Sequence, residues 1–236
     1  FAYEVVVVMD QKDWKGPAGE AIKSELASSV PGLPQAEPSL KITYVQPKDF
    51  TGLLRYVRNI LVVTIDPTAY TKVSVGYENN VWARGQVVVS LKAPNTESIV
   101  EYSKTHEKAL VNFFVKVEMN RAIEQLQKEY SMVVMDNLKS DLNVMLNAPA
   151  NFTYYKDTTD FFWSSNNANT GRMDLIVYTF PYTDPNTFTE EYLVAKRDSV
   201  LKANLPGSFP GSYMQTETRA GVEYTPITLN GKYCGV

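Results

Sequence analysis

The run Val5-Val6-Val7-Val8, closed by Met9 and bounded by Glu4 and Asp10, most limits the folds open to this chain. Four successive β-branched side chains point alternately to both faces of a strand, so both faces must be covered. Gly16-Pro17 then opens a helix, with proline at a first position where its missing N–H costs nothing. Ala18, Ile22 and Leu26 recur at every fourth residue on one face of it, and Pro31-Gly32-Leu33-Pro34 ends it. Residues 41 to 45 alternate as a short strand. Asp49 followed by Leu53, Leu54 and Val57 predicts a short helix, and residues 59 to 65 repeat the buried β-rich pattern, giving the order β-α-β-α-β.

Residues 71 to 77 and 86 to 91 are β-branched runs about Asn79-Asn80, which predicts a hairpin. Asn95 or Thr96 caps a long helix running to about residue 130, with Ile99, His106, Leu110, Phe113, Phe114 and Val117 on its inner stripe. Another helix is expected over 135 to 146, then strands at 152 to 155, 161 to 164 and 173 to 180. Thr187-Phe188-Thr189-Glu190 has the form of a capping box and starts a helix running to about 203. Strands over 213 to 219 and 222 to 229 follow, and Asn230-Gly231 predicts a hairpin with the terminal strand 232 to 236. The chain opens at Phe1 without methionine and stops inside that strand, as a processed or trimmed product would.

Helices between single strands in the first half, and paired strands around one helix in the second, predict an α+β fold. Its expected form is a mixed, largely antiparallel sheet with helices packed on it. With no repeat, linker or charge block, residues 1–236 read as one unit, and residue 148 is where two fused lobes would divide.

A net charge of −3 excludes the concentrated basic surface that a nucleic-acid partner requires. The longest apolar run falls far short of the roughly 20 residues that span a bilayer. His106 and Cys234 are the only imidazole and thiol, so one chain cannot assemble a Cys/His zinc set, and Cys234 has no intramolecular disulfide partner. The Asn166, Asn167, Asn169, Asp174 group lacks the spacing of a calcium loop. No Gly-x-Ser-x-Gly elbow or Walker loop is present, so no metal or other cofactor is expected. His106 and Cys234 are expected to be dispensable, since neither has a recognisable activating partner. Twenty-six carboxylates leave paired-acid hydrolysis open.

Aromatic residues are more informative. They cluster over 154 to 163 and at Phe180-Pro181-Tyr182, flanking a segment rich in Asn that ends in Gly171-Arg172. Flat rings beside amides and a guanidinium supply the apolar area and forked donors of a carbohydrate or peptide platform. The candidate binding residues are Trp163, Asn166, Asn167, Arg172, Asp174, Tyr182 and Asp184. The bland alternative has Trp163 in the core, Arg172 in an internal salt bridge and the Asn-rich segment as a plain turn.

Trp14-Lys15-Gly16-Pro17, Pro31-Gly32-Leu33-Pro34-Gln35, Arg58-Asn59-Ile60-Leu61, Asn112-Phe113-Phe114-Val115-Lys116, Gly171-Arg172-Met173-Asp174, Pro181-Tyr182-Thr183-Asp184, Ala195-Lys196-Arg197-Asp198-Ser199-Val200 and Tyr213-Met214-Gln215-Thr216-Glu217 are familiar together. With them the chain resembles, over nearly its whole length, an uncharacterised family of predicted lipoproteins from Bacteroidetes, domain-of-unknown-function family 4837. The resemblance implies a cleaved lipoprotein signal, a lipid anchor upstream of residue 1, an outer-membrane or periplasmic location, and family members that continue past Val236. It brings no established catalytic residues. It also draws attention to Asp157-Thr158-Thr159 and Asp198-Ser199-Val200, which fit an envelope O-glycan pattern of Asp, then Ser or Thr, then an aliphatic residue or Thr. Thr158, in a predicted turn, is the better acceptor than Ser199, in a predicted helix. The expected function is a non-catalytic cell-envelope domain binding a protein or glycan partner, with a carboxylate-dependent hydrolase using an inter-lobe cleft as the alternative.

Overall fold

The computed structural model describes residues 1–33, 35–219, 221–222, 224–229 and 232–235. The fold is α+β, and the chain divides into two compact units, Phe1–Arg121 and Ala122–Val236.

In the first unit, β1 (Glu4–Val8) leads through the short α1 (Gln11–Trp14) into α2 (Pro17–Leu26), which has Pro17 in its first turn as the sequence requires. β2 (Lys41–Val45) pairs parallel to one side of β1 and β3 (Asn59–Ile65) parallel to the other. β4 (Ser74–Asn79) and β5 (Val87–Ala93) form the expected hairpin. β5 lies parallel to β3, which leaves β4 as an antiparallel edge in the order β2-β1-β3-β5-β4. The valine run is divided as a doubly covered strand must be. Val5 and Val7 pack with Ala18, Ile22, Leu26, Ile99 and Phe114, while Val6 and Val8 pack with Ile60, Val88, Phe50, Leu54 and Val57. The helix expected from Asp49 is two 3-10 turns, Pro47–Asp49 and Gly52–Tyr56, and Leu54 in the second, with the flanking Phe50 and Val57, covers that second face, while Leu53 and Tyr56 are exposed.

The long helix expected from 96 to about 130 is instead two, α3 (Thr96–Thr105) and α4 (Ala109–Lys128). Residues 103 to 108 read Ser-Lys-Thr-His-Glu-Lys and offer no apolar side chain to hold a turn on the core. Lys108 reverses the chain with φ of +60°, and the Glu25 carboxylate of α2 accepts the Leu110 N–H at 2.7 Å, capping the new helix. Burial raises the Glu25 pKa, against the hydrogen bonds from the Leu110 and Val111 amides. His106 leaves the inner stripe, is exposed, and stacks on Tyr102 at 4.3 Å.

One turn beyond Phe114, Glu118 is only 3% exposed. Its Oε1 accepts from Asn59 Nδ2 at 2.7 Å and from Arg121 Nη1 at 2.6 Å, and its Oε2 lies 3.1 Å from Arg58 Nη2. Asn59 Nδ2 also donates to the Glu4 carbonyl, and Arg121 Nη2 to the Gly85 carbonyl. One buried carboxylate thus holds α4 to β1, β3 and the approach to β5.

In the second unit, α5 (Met132–Asp141) is capped by Ser131 and starts earlier than expected. β6 (Tyr154–Thr158), β7 (Phe161–Ser165) and β8 (Asp174–Tyr178) form an antiparallel sheet in that order. Phe162, Leu175 and Val177 share one face of it and pack with Val134 and Leu138 of α5 and with Phe152. α6 (Glu190–Asn204) is capped by Thr189, whose Oγ1 accepts the Tyr192 N–H, not by Thr187. Thr187 is buried and donates to the Asp184 carbonyl at 2.6 Å, within a 3-10 turn that Asp184 caps. Of the strand expected over 213 to 219, Tyr213 alone pairs, in a single bridge with Pro206. Local bonds take over there: the Thr216 N–H and hydroxyl both donate to Asp198 Oδ1, and Arg219 turns back on Glu217. β9 (Pro226–Leu229) and β10 (Lys232–Gly235) pair antiparallel, while Asn230 and Gly231 lie outside the described residues.

Candidate functional site

The strand register of the second unit decides which of the candidate residues meet. Tyr154, Ser165 and Asp174 stand in line across β6, β7 and β8, and Lys156, Trp163 and Ile176 form the next row on the same face. Trp163 is half-buried, and its indole Nε1 donates to Asp174 Oδ1 at 3.0 Å. Arg172 grips the same carboxylate with two nitrogens, Nε to Oδ2 and Nη2 to Oδ1, each at 3.0 Å. Burial opposes ionisation of Asp174, but the hydrogen bonds from Arg172, Trp163 and Ser165 outweigh it and hold the carboxyl below its ordinary range. The result is a fixed row of ring, carboxylate and guanidinium. The Arg172 side chain is still 51% exposed, and Tyr154, 56% exposed, stands at the same end of the sheet.

The asparagines serve the turn. Asn166 Oδ1 accepts the Ala168 and Met173 N–H groups and its Nδ2 donates to the Gly171 carbonyl. Asn167 and Gly171 take the positive φ values, +47° and +65°, that close the loop. Asn167 is exposed, and its N–H donates to Ser165 Oγ. The internal salt bridge of Arg172 matches the bland alternative, whereas the partial exposure of Trp163 does not. β8 runs away from this end, with Tyr178 paired to Phe161 at the opposite one, so Tyr182 and Asp184 follow from the far end of the sheet. Tyr182 is 64% exposed and packs on Phe188 at 5.5 Å, and Asp184 is the cap already described.

Thr158 closes the tight β6–β7 turn, exposed, with its hydroxyl donating to the Phe161 carbonyl at 3.2 Å. Ser199 is exposed on α6, beside the Asp198 that holds Thr216. Next to Thr158, Asp157 faces Asp141 at the end of α5 within hydrogen-bonding reach. Partial burial and the neighbouring Asp141 raise the Asp157 pKa, whereas hydrogen bonds from Ser140 and from Asp157 itself lower that of Asp141, so Asp157 is the one of the two that keeps its proton to higher pH. Sequence spacing gave no sign of this pair, because only the β6–α5 packing joins residues 16 apart.

His106 Nδ1 lies 2.9 Å from Thr105 Oγ1 and 3.2 Å from the Tyr102 carbonyl. The Cys234 side chain lies outside the described portion of the molecule. Among the described residues, no three His, Cys, Asp or Glu side chains group as a metal site, and no helix is long and apolar enough to cross a membrane.

Residues 1–127, more than half of the chain, match the family model "Domain of unknown function (DUF8532)", and the chain belongs to that family. Residues 131–236 match "Domain of unknown function (DUF4837)". The resemblance to family 4837 therefore holds for the second part alone, and the stretches from Trp14 to Lys116 that suggested it fall in the other family. No curated protein and no solved structure matches the chain.

Proposed function

We propose that this DUF8532 member, with its DUF4837 second part, is a non-catalytic binding domain of the bacterial cell envelope that recognises a protein or glycan partner. A lipid anchor upstream of residue 1 and an outer-membrane or periplasmic location in a Bacteroidetes envelope belong to the same reading, as does O-glycan attachment at Thr158 before Ser199. The observation that carries it is the cluster of Trp163, Asp174 and Arg172, with Tyr154 exposed at the same end of the sheet. A half-buried indole lies beside a guanidinium whose fork is oriented by an internal carboxylate, leaving Nη1 free of the hydrogen bonds to Asp174, and the exposed Tyr154 ring stands two strands away at the same end of the sheet. Rings give stacking area and Arg gives directional donors, the residue types that dominate binding hot spots. Calorimetric titration of the full chain against soluble oligosaccharides and short peptides tests it. Arg172→Ala and Tyr154→Ala should each weaken binding at least about fivefold, the loss of more than about 1 kcal/mol typical of such an anchor. Unchanged affinity in both would overturn the assignment of this surface.

A second reading, hydrolysis, rests on the Asp141–Asp157 pair. Two carboxyls sharing a proton are the working unit of some hydrolases, but these touch each other and face solvent, whereas glycosidase carboxyls stand roughly 5–9.5 Å apart. Electrostatic strain explains the pair without catalysis, and the sign follows. The Asp157 pKa is raised in the folded state, so its contribution is present at low pH and is lost as pH rises through the folded value. Asp157→Asn is therefore expected to raise the melting temperature at pH 7, with the gain vanishing near pH 3, and to leave binding intact. Loss of a hydrolytic activity in this variant, with the fold unchanged, would favour the enzyme.

A further inference from the structure

We infer that the first unit carries a separate binding groove for a small anionic amphiphile, an alkyl chain ending in a carboxylate. A cavity of about 540 Å³ lies between the first half of α4 and the segment after α2, within the size range of small-molecule sites, about 300–1,000 Å³. Val111 and Val115 of α4 form part of its lining, with Val30, Pro31, Pro38 and Met119 among the rest. On the wall opposite α4 several hydrogen-bond donors are already taken or missing. Val30 N–H donates to the Glu37 carbonyl, Ser39 N–H and Oγ both donate to the Ser28 carbonyl, and two prolines have no N–H at all. Such a surface favours methylene groups over a polar ligand.

The single charged side chain on the lining is Lys108, and its ammonium forms no ion pair among the described residues. It stands at the start of α4, so one end of a groove whose charge is otherwise nil is cationic, which selects a carboxylate over a neutral or cationic head. Backbone strain marks the same place. Among the described residues five non-glycines have positive φ, and two of them, Tyr3 at +56° and Lys108 at +60°, line this groove. A left-handed tyrosine is uncommon, and strained backbone gathers at ligand clamps because surrounding structure must hold it.

The test is isothermal titration of the full chain with decanoate, with decyltrimethylammonium as the probe of opposite charge. Decanoate is expected to bind saturably at one site, more weakly at high salt, and decyltrimethylammonium not to saturate. Lys108→Gln should weaken decanoate about fivefold, the scale of one exposed charge pair. Val30→Glu should abolish binding. Met119→Glu, on the exposed surface of α4, does the same work if Val30→Glu fails to fold. Absence of saturable decanoate binding, equal binding of the cationic amphiphile, or full affinity in Lys108→Gln would each overturn the proposal.

Discussion

Glu118→Ala is expected to destabilise the protein by about 3–5 kcal/mol, the usual result of removing one partner from a buried ion pair. The variant leaves Arg121, Arg58 and Asn59 facing a space with no acceptor for donors that Glu118 now satisfies at 2.6 to 3.1 Å. The penalty comes from desolvated groups left without their carboxylate rather than from the attraction itself. Glu118→Gln retains an acceptor for Asn59 and Arg121 and should cost less. At about 2–4 °C per kcal/mol for a chain of this size, the alanine variant should melt about 10 °C lower. A loss below about 1 kcal/mol in urea denaturation would mean that the network does not hold α4 to the sheet.

Gly19→Ala should also destabilise, against the ordinary rule. In a helix interior, alanine replaces glycine with a gain of about 1 kcal/mol. Gly19 is buried in α2 where the chain has just turned out of α1, and a methyl group there would land on the Trp14 backbone carbonyl. Backbone cannot rotate away as a side chain can, so the α1–α2 elbow must shift, with a cost of about 1–3 kcal/mol. The neighbouring stack of Trp14 on Tyr44, at 4.7 Å, should be disturbed with it. Gly76→Ala, at an edge-strand glycine with open space where the methyl would go, provides the comparison and should change stability little. Equal or greater stability of Gly19→Ala than of the parent would contradict the close approach.

The central strands were legible because consecutive Val and Ile residues have one economical burial, between two covered faces, and β1, β3 and β5 are that arrangement. α2 was legible from Pro17 and a four-residue apolar period. The helical period that sets His106 in line with Ile99 and Leu110 hides the break between α3 and α4, although the six polar residues 103 to 108 are the signal that no core contact holds that turn. Glu118 could have been found too. It continues the series Leu110, Phe114 at four-residue spacing, and a carboxylate on an inner stripe demands buried partners. The parallel pairing of β1 with β2 and β3, and of β3 with β5, beside the antiparallel edge β4, is a feature of connectivity rather than of any one strand.

The candidate site was legible in part. Residue type alone points to Trp163, Arg172 and Asp174, but their arrangement depends on the register that sets Ser165 opposite Asp174 and Trp163 opposite Ile176. The same register separates Tyr182 and Asp184 from them, since a five-residue strand carries the chain to the other end of the sheet. Asn166, a recognition amide by residue type, is the brace of its own turn.

Because Trp14, Trp82 and Trp163 are the only tryptophans, the indole N–H spectrum of the full chain tests the binding surface most directly. Pools of soluble oligosaccharides and short peptides are titrated into labelled protein, and each indole signal is assigned by single Trp→Phe variants. At least one pool is expected to shift the Trp163 signal, held in place by Asp174, while the Trp14 and Trp82 signals stay where they are. A Trp163 signal that no pool moves, or three signals that move together, would contradict a recognition site on this face.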